Sequence, residues 1–230
     1  MKITWLGHAG FRIEIEDQVL LVDPWIAGNP VFPQDRADEA TAGATAILLT
    51  HGHGDHASNA QDIARDLGIP IACIHEASKL LAADGVETLG FGKGGTISFN
   101  SVLVSMVNAV HSSSFDFGEG APQYAGGEAG FMIAGEGHVI YVTGDTDIMA
   151  DMAWMGEYYD PDIGILCAGG HYTMDMKAAA WAADKFFNFR TVIPCHYKTF
   201  PILAQSADEL MAALPDVDVR TPEVLETVEI

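Results

Sequence analysis

Residues 51–56 have the sequence His-Gly-His-Gly-Asp-His, which puts four potential metal ligands in six positions of a 230-residue chain with nine histidines. Gly52 and Gly54 carry no side chain, so a short loop here can fold closely around an ion. Imidazoles and a carboxylate are the ligands that zinc and similar metals prefer. The stretch follows the apolar run 46–50, which predicts a buried strand. We therefore predict a metal site at the end of that strand, and not an exposed His-rich tag.

Three further potential ligands also follow apolar runs that predict strands: His111, Asp145 and His196. The ends of strands in a layered fold can meet at one edge, where open α/β sheets carry their sites. A single His or Asp after a strand is weak evidence, but the motif and these three residues together supply seven potential ligands. That number suffices for two metal ions that share one carboxylate.

This ordered series resembles the metallo-β-lactamase superfamily, and the resemblance covers nearly the whole chain. It implies an α/β (α+β) fold, a four-layer αββα sandwich with the metals at one edge. The implied ligands of one metal ion are His51, His53 and His111. Those of the second metal ion are Asp55, His56 and His196. Asp145 is implied to bridge the two ions.

A narrower likeness rests on four shorter motifs, at residues 7–11, 23–24, 169–174 and 196–201. They resemble a bacterial branch of small metal-dependent hydrolases related to L-ascorbate-6-phosphate lactonase. Lys198 stands where we expect Asn in the last motif, so a contact made by that Asn is not implied here.

The resemblance implies a dinuclear metal-dependent hydrolase that acts on a small ester, lactone or phosphodiester. Two divalent ions lower the pKa of a shared water, so that hydroxide can attack at neutral pH. Asp55 is then both a metal ligand and a catalytic residue that orients the nucleophile. We expect two divalent metal ions per chain, with zinc favoured and manganese, nickel and iron left open.

Four other residues are candidates for supporting roles. His171 is predicted to be catalytic, as a proton donor or a substrate contact, and His8 is a weaker candidate of the same kind. Asp23 is a candidate partner for the second ring nitrogen of a histidine ligand. Lys198 is a candidate contact for an anionic substrate, although a solvated lysine is an equal alternative.

Composition limits the partners that we expect. The chain has 32 Asp and Glu against 11 Lys and Arg, a formal net charge of −21, and 49% hydrophobic residues. The apolar content can form a large core, and no linker or break in composition divides the chain, so we expect a single domain over residues 1–230. The negative charge disfavours nucleic acids and anionic membranes, which leaves a small-molecule substrate. Formation of a homo-oligomer is left open.

A cytoplasmic location is expected from three features. The N-terminal residues contain no stretch typical of a signal peptide, and no apolar run is long enough for a transmembrane helix. The three cysteines are far apart and form no Cys-x-x-Cys pair, which indicates reduced, buried thiols.

Other functions of the same fold are less well supported. A secreted β-lactamase is disfavoured by the missing signal peptide, and a nuclease by the net charge. A di-iron redox enzyme is an alternative, but such proteins resemble His-x-Glu-x-Asp-His, with Glu in the position of His53, and carry a flavin domain. A metal-binding protein without turnover would need a closed site, whereas the Ser/Gly-rich segment 112–130 is typical of functional loops and indicates access.

Hydrophobic periodicity predicts the main elements. Strands are expected at 11–16, 46–50 and 191–194, with Pro194 at an edge or at the end of its strand. Helices are expected from Ser58 to Gly68, and from about residue 175 to residue 188.

Overall fold

Two seven-stranded sheets form the centre of the computed structural model, which describes residues 1–116 and 121–230. The strands of the first sheet are β1 (Lys2–Trp5), β2 (Phe11–Ile15), β3 (Gln18–Val22), β4 (Ala46–Leu48), β5 (Ile71–Ile74), β6 (Thr88–Phe91) and β14 (Thr227–Glu229). The strands of the second sheet are β7 (Thr96–Phe99), β8 (Val102–Asn108), β9 (Ala129–Gly135), β10 (His138–Val142), β11 (Ile163–Cys167), β12 (Thr191–Cys195) and β13 (Asp218–Val219).

Each sheet combines antiparallel hairpins with a set of parallel strands. In the first sheet β1, β2 and β3 pair antiparallel, and β3, β4, β5 and β6 pair parallel, while β14 is antiparallel to β1. In the second sheet β7 to β10 pair antiparallel and β10 to β13 pair parallel. Parallel strands end at the same edge, so residues that follow them are brought together there.

Helices cover the outer face of both sheets. They are α1 (Ala37–Thr41), α2 (Gly54–Ala57), α3 (Ala60–Leu67), α4 (His75–Ala83), α5 (Asp151–Tyr159), α6 (Met176–Phe186) and α7 (Asp208–Ala213). Buried residues of α1, α3 and α4 pack with the first sheet, and buried residues of α5, α6 and α7 pack with the core that includes the second sheet. The prediction of an α/β sandwich with four αββα layers is confirmed.

Strand β4 illustrates how the sequence pattern builds the layers. Ala46 and Leu48 belong to the core between the sheets, whereas Ile47, and Leu49 directly after the strand, belong to the core under the outer helices. Both faces of the strand are therefore buried, which explains its unbroken apolar run.

Local boundaries differ from the predictions at the metal-ligand motif. The strand ends at Leu48, and the helix expected from Ser58 begins at Ala60. Residues 54–57 form the separate short helix α2, whose end is capped by the N–H of Ser58 donating to the Gly54 carbonyl. The motif itself takes up a helical turn, which displaces the start of α3. The predicted end at Gly68 is confirmed, since this glycine has a φ of 64°.

The other expected elements agree more closely with the structure. Helix α6 starts after Asp175, whose carboxylate accepts a hydrogen bond from the N–H of Ala178 at 2.7 Å. Pro194 is one residue from the end of β12, where β13 no longer pairs with it. Among the described residues, no helix has both the length and the apolar character that crossing a membrane requires. The single domain over residues 1–230 stays a prediction.

Candidate metal centre

The motif at residues 51–56 is divided between an extended loop and a helical turn. His51 and His53 lie in the loop after β4, and Asp55 and His56 lie in α2. A Cβ atom at Gly52 would lie 2.4 Å from a ring carbon of Phe115, so only glycine fits this position. Because the backbone changes direction within the motif, His51 and His53 lie beside other residues than Asp55 and His56 do.

One group of potential ligands consists of His51, His53 and His111, in which one ring nitrogen of each lies within 4.8 Å of the others. His51 Nε2 is 3.0 Å from His53 Nδ1. His51 is buried, and burial lowers its pKa well below the ordinary value, which favours the neutral imidazole that metals bind.

A second group consists of His8, Asp55, His56 and His196. Three of these are the residues that the superfamily resemblance implies for a second metal ion, and His8 is an additional member. Sequence reasoning gave His8 only a weak catalytic role. The signal that could have found it is its motif, Gly7-His8-Ala-Gly-Phe11.

Asp145 stands between the two groups. Its Oδ2 is 3.5 Å from His111 Nε2 and 3.1 Å from His196 Nε2. The same oxygen is 4.0 Å from His51 Nε2. Burial would raise the pKa of Asp145, but the imidazoles of His56 and His196 hold it well below its ordinary value. A buried carboxylate therefore faces both histidine groups in its ionised form. We call the following seven residues the ligand cluster: His51, His53, Asp55, His56, His111, Asp145 and His196.

Two buried atoms in the ligand cluster support metal binding. His56 Nε2 and Asp145 Oδ1 have no hydrogen-bond partner among the described residues, and they lie 3.4 Å apart. A buried polar atom without a partner costs about 1–3 kcal/mol. Both are ligand atoms by type, so coordination to a metal ion would satisfy them, and the donor set fits the group that the fold implies.

Asp23 fixes the proton positions on two histidines. Its Oδ2 accepts hydrogen bonds from Thr50 Oγ1 at 2.5 Å and from His56 Nδ1 at 2.7 Å. Since the only hydroxyl proton of Thr50 goes to Asp23, the 3.0 Å contact between Thr50 Oγ1 and His51 Nδ1 requires the histidine to donate. In the neutral imidazoles of His51 and His56 the proton is therefore on Nδ1, and Nε2 is left for a metal ion.

His8 is fully buried and lies against Asp55. Its Nε2 is 2.9 Å from Asp55 Oδ2, and its Nδ1 is 2.9 Å from Thr199 Oγ1. A carboxylate can only accept, so Nε2 donates to Asp55. In the neutral ring Nδ1 then accepts the single hydroxyl proton of Thr199, for which the Tyr197 carbonyl, 3.1 Å from Thr199 Oγ1, competes. Burial lowers the pKa of His8 to about 4, with the hydrogen bond to Asp55 opposing the shift. The ring also packs on His196, with centroids 3.9 Å apart.

Residues 2–196 match the family model described as a β-lactamase superfamily domain. The chain belongs to the metallo-β-lactamase superfamily.

Two relatives of this superfamily member are named metal-dependent hydrolases. One, from Paracoccus denitrificans, is 65% identical over 99% of both chains. The other, from Cereibacter sphaeroides strain ATCC 17025, is 65% identical over 100% of both chains. A solved structure, the metallo hydrolase Igni18 from Ignicoccus hospitalis, has a TM-score of 0.86 and 30% identity, and the match covers 99% of this chain and 97% of that one. The prediction of a metal-dependent hydrolase is confirmed at this level, and the narrower likeness to the lactonase branch stays a prediction.

A cavity of about 590 Å³ opens above the ligand cluster of this superfamily member. Its lining residues are His53, Asp55, His111, Ser112, Asp145, Tyr172, His196, Phe200 and Ile202. This volume is within the range of small-molecule sites. Part of segment 112–130 borders it through Ser112, while residues 117–120 of that segment lie outside the described residues.

His171 and Lys198 are not among the residues that line this cavity. His171 is exposed, and its ring lies edge-on to Tyr172 with centroids 4.5 Å apart. The Lys198 ammonium is 3.3 Å from the Glu223 carboxylate. The catalytic role of His171 stays a prediction, and it would have to act at the margin of the cavity.

Proposed function

We propose that this metal-dependent hydrolase is dinuclear and that it cleaves a small ester, lactone or phosphodiester with water. His51, His53 and His111 would hold one ion. Asp55, His56 and His196 would hold the other, with Asp145 as the shared ligand. The observation that carries the proposal is the position of the Asp145 carboxylate, within 4.0 Å of nitrogens from both histidine groups.

The proposed metals would supply a low pKa for bound water and polarisation of the substrate oxygen. The protein groups would hold the ligand atoms in position. Asp23 orients His56 directly and His51 through Thr50, so that both present Nε2 to the site. Proton placement on two histidines thus depends on one buried carboxylate.

We propose that Asp55 also orients the attacking water. His8 donates to its Oδ2 at 2.9 Å, and the remaining lone pairs of the two carboxylate oxygens are available for the proposed metal ion and the water. His8 would then be a positioning residue that acts through Asp55. His171 remains our proposed proton donor or substrate contact. The alternative to be tested is that His171 acts only by supporting Tyr172, which its ring contacts.

Zinc is the metal that we propose, with manganese, nickel and iron as the other candidates. The net charge of −21 supports a small molecule as substrate over a nucleic acid, and we propose that the enzyme acts in the cytoplasm. An accessible cavity above the ligand cluster supports turnover over metal storage. The redox alternative has no specific observation in its favour.

A hydrolysis screen tests the proposal. Metal-free protein would be prepared with a chelator, reloaded with one metal at a time, and assayed on lactones, carboxylic esters, thioesters, phosphodiesters and β-lactams. We expect hydrolysis of at least one ester, lactone or phosphodiester by the reloaded protein and none by the metal-free protein. Lack of turnover with every metal and substrate would contradict the proposal.

A further inference from the structure

The cavity above the ligand cluster has two chemically different parts. The first part, which we call the floor, consists of imidazoles and carboxylates of the ligand cluster. The second part consists of three side chains, Tyr172, Phe200 and Ile202, which we call the apolar wall. The floor offers groups for the reacting atoms of a substrate, and the wall offers apolar surface for the rest of it.

Two of the three side chains of the apolar wall are exposed to solvent, and the third contacts another aromatic ring. Tyr172 is 57% exposed and Ile202 is 56% exposed, so a ligand can cover both. Phe200 packs on Trp25 with ring centroids 5.9 Å apart. Apolar side chains that converge beside a few polar groups are typical of small-molecule sites.

No lysine or arginine lines the cavity among residues 1–116 and 121–230. Lys198 is near in sequence, but its ammonium pairs with Glu223 and lies 5.4 Å from the centroid of the Tyr197 ring. The net charge of −21 adds long-range repulsion of anions. An anionic group on the part of a substrate that contacts the wall would have no cationic partner there. The free energy of removing that group from water would then be uncompensated.

We infer that the substrate is an uncharged carboxylic ester or lactone with an apolar acyl part, whose hydrocarbon lies against Tyr172, Phe200 and Ile202. This inference rests on the proposed hydrolase function and specifies its substrate. Water oxygen bonds to the acyl carbon, and the bond from that carbon to the alkoxy oxygen breaks. One water proton ends on the alkoxy oxygen, which becomes the alcohol, and the other leaves with the carboxylic acid product and passes to solvent when that acid ionises. It narrows the predicted substrates, a small ester, lactone or phosphodiester, to the uncharged carboxylic ones.

A matched pair of substrates isolates the effect of charge. The zinc-loaded protein would be assayed on the p-nitrophenyl esters of pentanoic acid and of glutaric acid, which have five-carbon acyl chains and differ in a terminal carboxylate. After subtraction of the uncatalysed rates, we expect kcat/KM to be about tenfold or more higher for the pentanoate. From acetate to pentanoate we expect a rise of about threefold to fourfold for each added methylene that contacts the wall.

A matched pair of variants tests whether the wall causes the preference. Ile202→Lys adds a cation at the wall, and Leu67→Lys adds the same charge at an exposed position of α3 outside the cavity. We expect Ile202→Lys to lower the pentanoate-to-glutarate ratio about threefold to fivefold. Leu67→Lys should leave the ratio unchanged, which excludes an effect of net charge alone.

The outcomes separate this inference from the proposed function. Equal or faster hydrolysis of the glutarate ester, or turnover of bis(p-nitrophenyl) phosphate alone, would overturn the substrate class and leave the hydrolase function standing. Equal ratios in the two lysine variants would overturn the assignment to the wall. Failure to hydrolyse any substrate, with metal bound, would contradict the proposed function itself.

Discussion

The ligand cluster follows buried strands or lies in the turn α2, whereas the apolar wall comes from the loops after β11 and β12. Asp145 and His56 are buried and held by hydrogen bonds or close ionic contacts. Tyr172 and Ile202 are more than half exposed. The cluster is therefore a network in which one substitution disturbs several groups, while a substitution in the wall should remain local.

Asp145→Ala should have the largest effect, because it removes the carboxylate between the two histidine groups. We expect kcat/KM to fall by about 1,000-fold or more, since a proposed metal ligand and the charge that balances two ions are lost together. Metal analysis should show fewer ions per chain than in the wild type. Asp145→Asn keeps the side-chain volume and serves as the control for packing. Unchanged turnover in the alanine variant would end the assignment of Asp145 as the bridge.

Asp23→Asn should have the next largest effect, although Asp23 itself is not a proposed ligand. An amide has one accepting oxygen, whereas Asp23 accepts at Oδ2 from Thr50 Oγ1 and His56 Nδ1 and at Oδ1 from the Thr50 backbone N–H. In the Asn variant an NH2 group must face at least one of these donors, so the tautomers of His51 and His56 are no longer fixed. We expect metal affinity, measured by competition with a chelator, to fall about 10- to 100-fold. Thr50→Ser keeps the hydroxyl and should retain nearly full affinity. An equal loss of metal affinity in Thr50→Ser would show that the effect comes from altered packing and not from the positions of the protons.

His8→Ala should reduce kcat about tenfold with KM and metal content largely retained, because Asp55 loses the donor that orients it. His8→Gln supplies a side-chain N–H and should recover part of the rate, which a purely structural role would not predict. The pH dependence of kcat should also shift in the alanine variant. Loss of one metal ion in both variants would instead identify His8 as a ligand.

Tyr172→Ala should have the smallest effect, since it removes one side of an exposed wall. We expect KM for an apolar ester to rise about threefold to fivefold with kcat and metal content unchanged.

His171→Ala distinguishes two possible roles of His171, which is the neighbour of Tyr172 in sequence. A fall in kcat with intact metal content would support proton donation, whereas a rise in KM alone would show that His171 acts by supporting Tyr172.

The ligand cluster was largely predictable from sequence, and the apolar wall was not. Apolar runs identify strands, and topology brings the ends of parallel strands to one edge, so His51, Asp145 and His196 could be placed from local patterns. The αββα layers were implied by the resemblance to the metallo-β-lactamase superfamily, and the apolar runs alone predicted only strands and helices. Helix α2 was missed because the motif residues themselves supply the turn.

The contacts of His8 and of the wall depend on residues far apart in sequence. His8 contacts Asp55 across 47 residues and Thr199 across 191 residues. Tyr172 and Ile202 lie in irregular loops that have no hydrophobic period to interpret. Sequence patterns predict the elements and their ends, but the pairing of loops is decided by tertiary packing.

The number of metal ions per chain tests the central claim most directly. Protein prepared without added metal, reloaded with zinc and dialysed would be analysed for bound zinc by mass spectrometry, with protein concentration measured independently. The two histidine groups and the shared Asp145 predict close to two ions per chain. One ion per chain, or none, would contradict the dinuclear site.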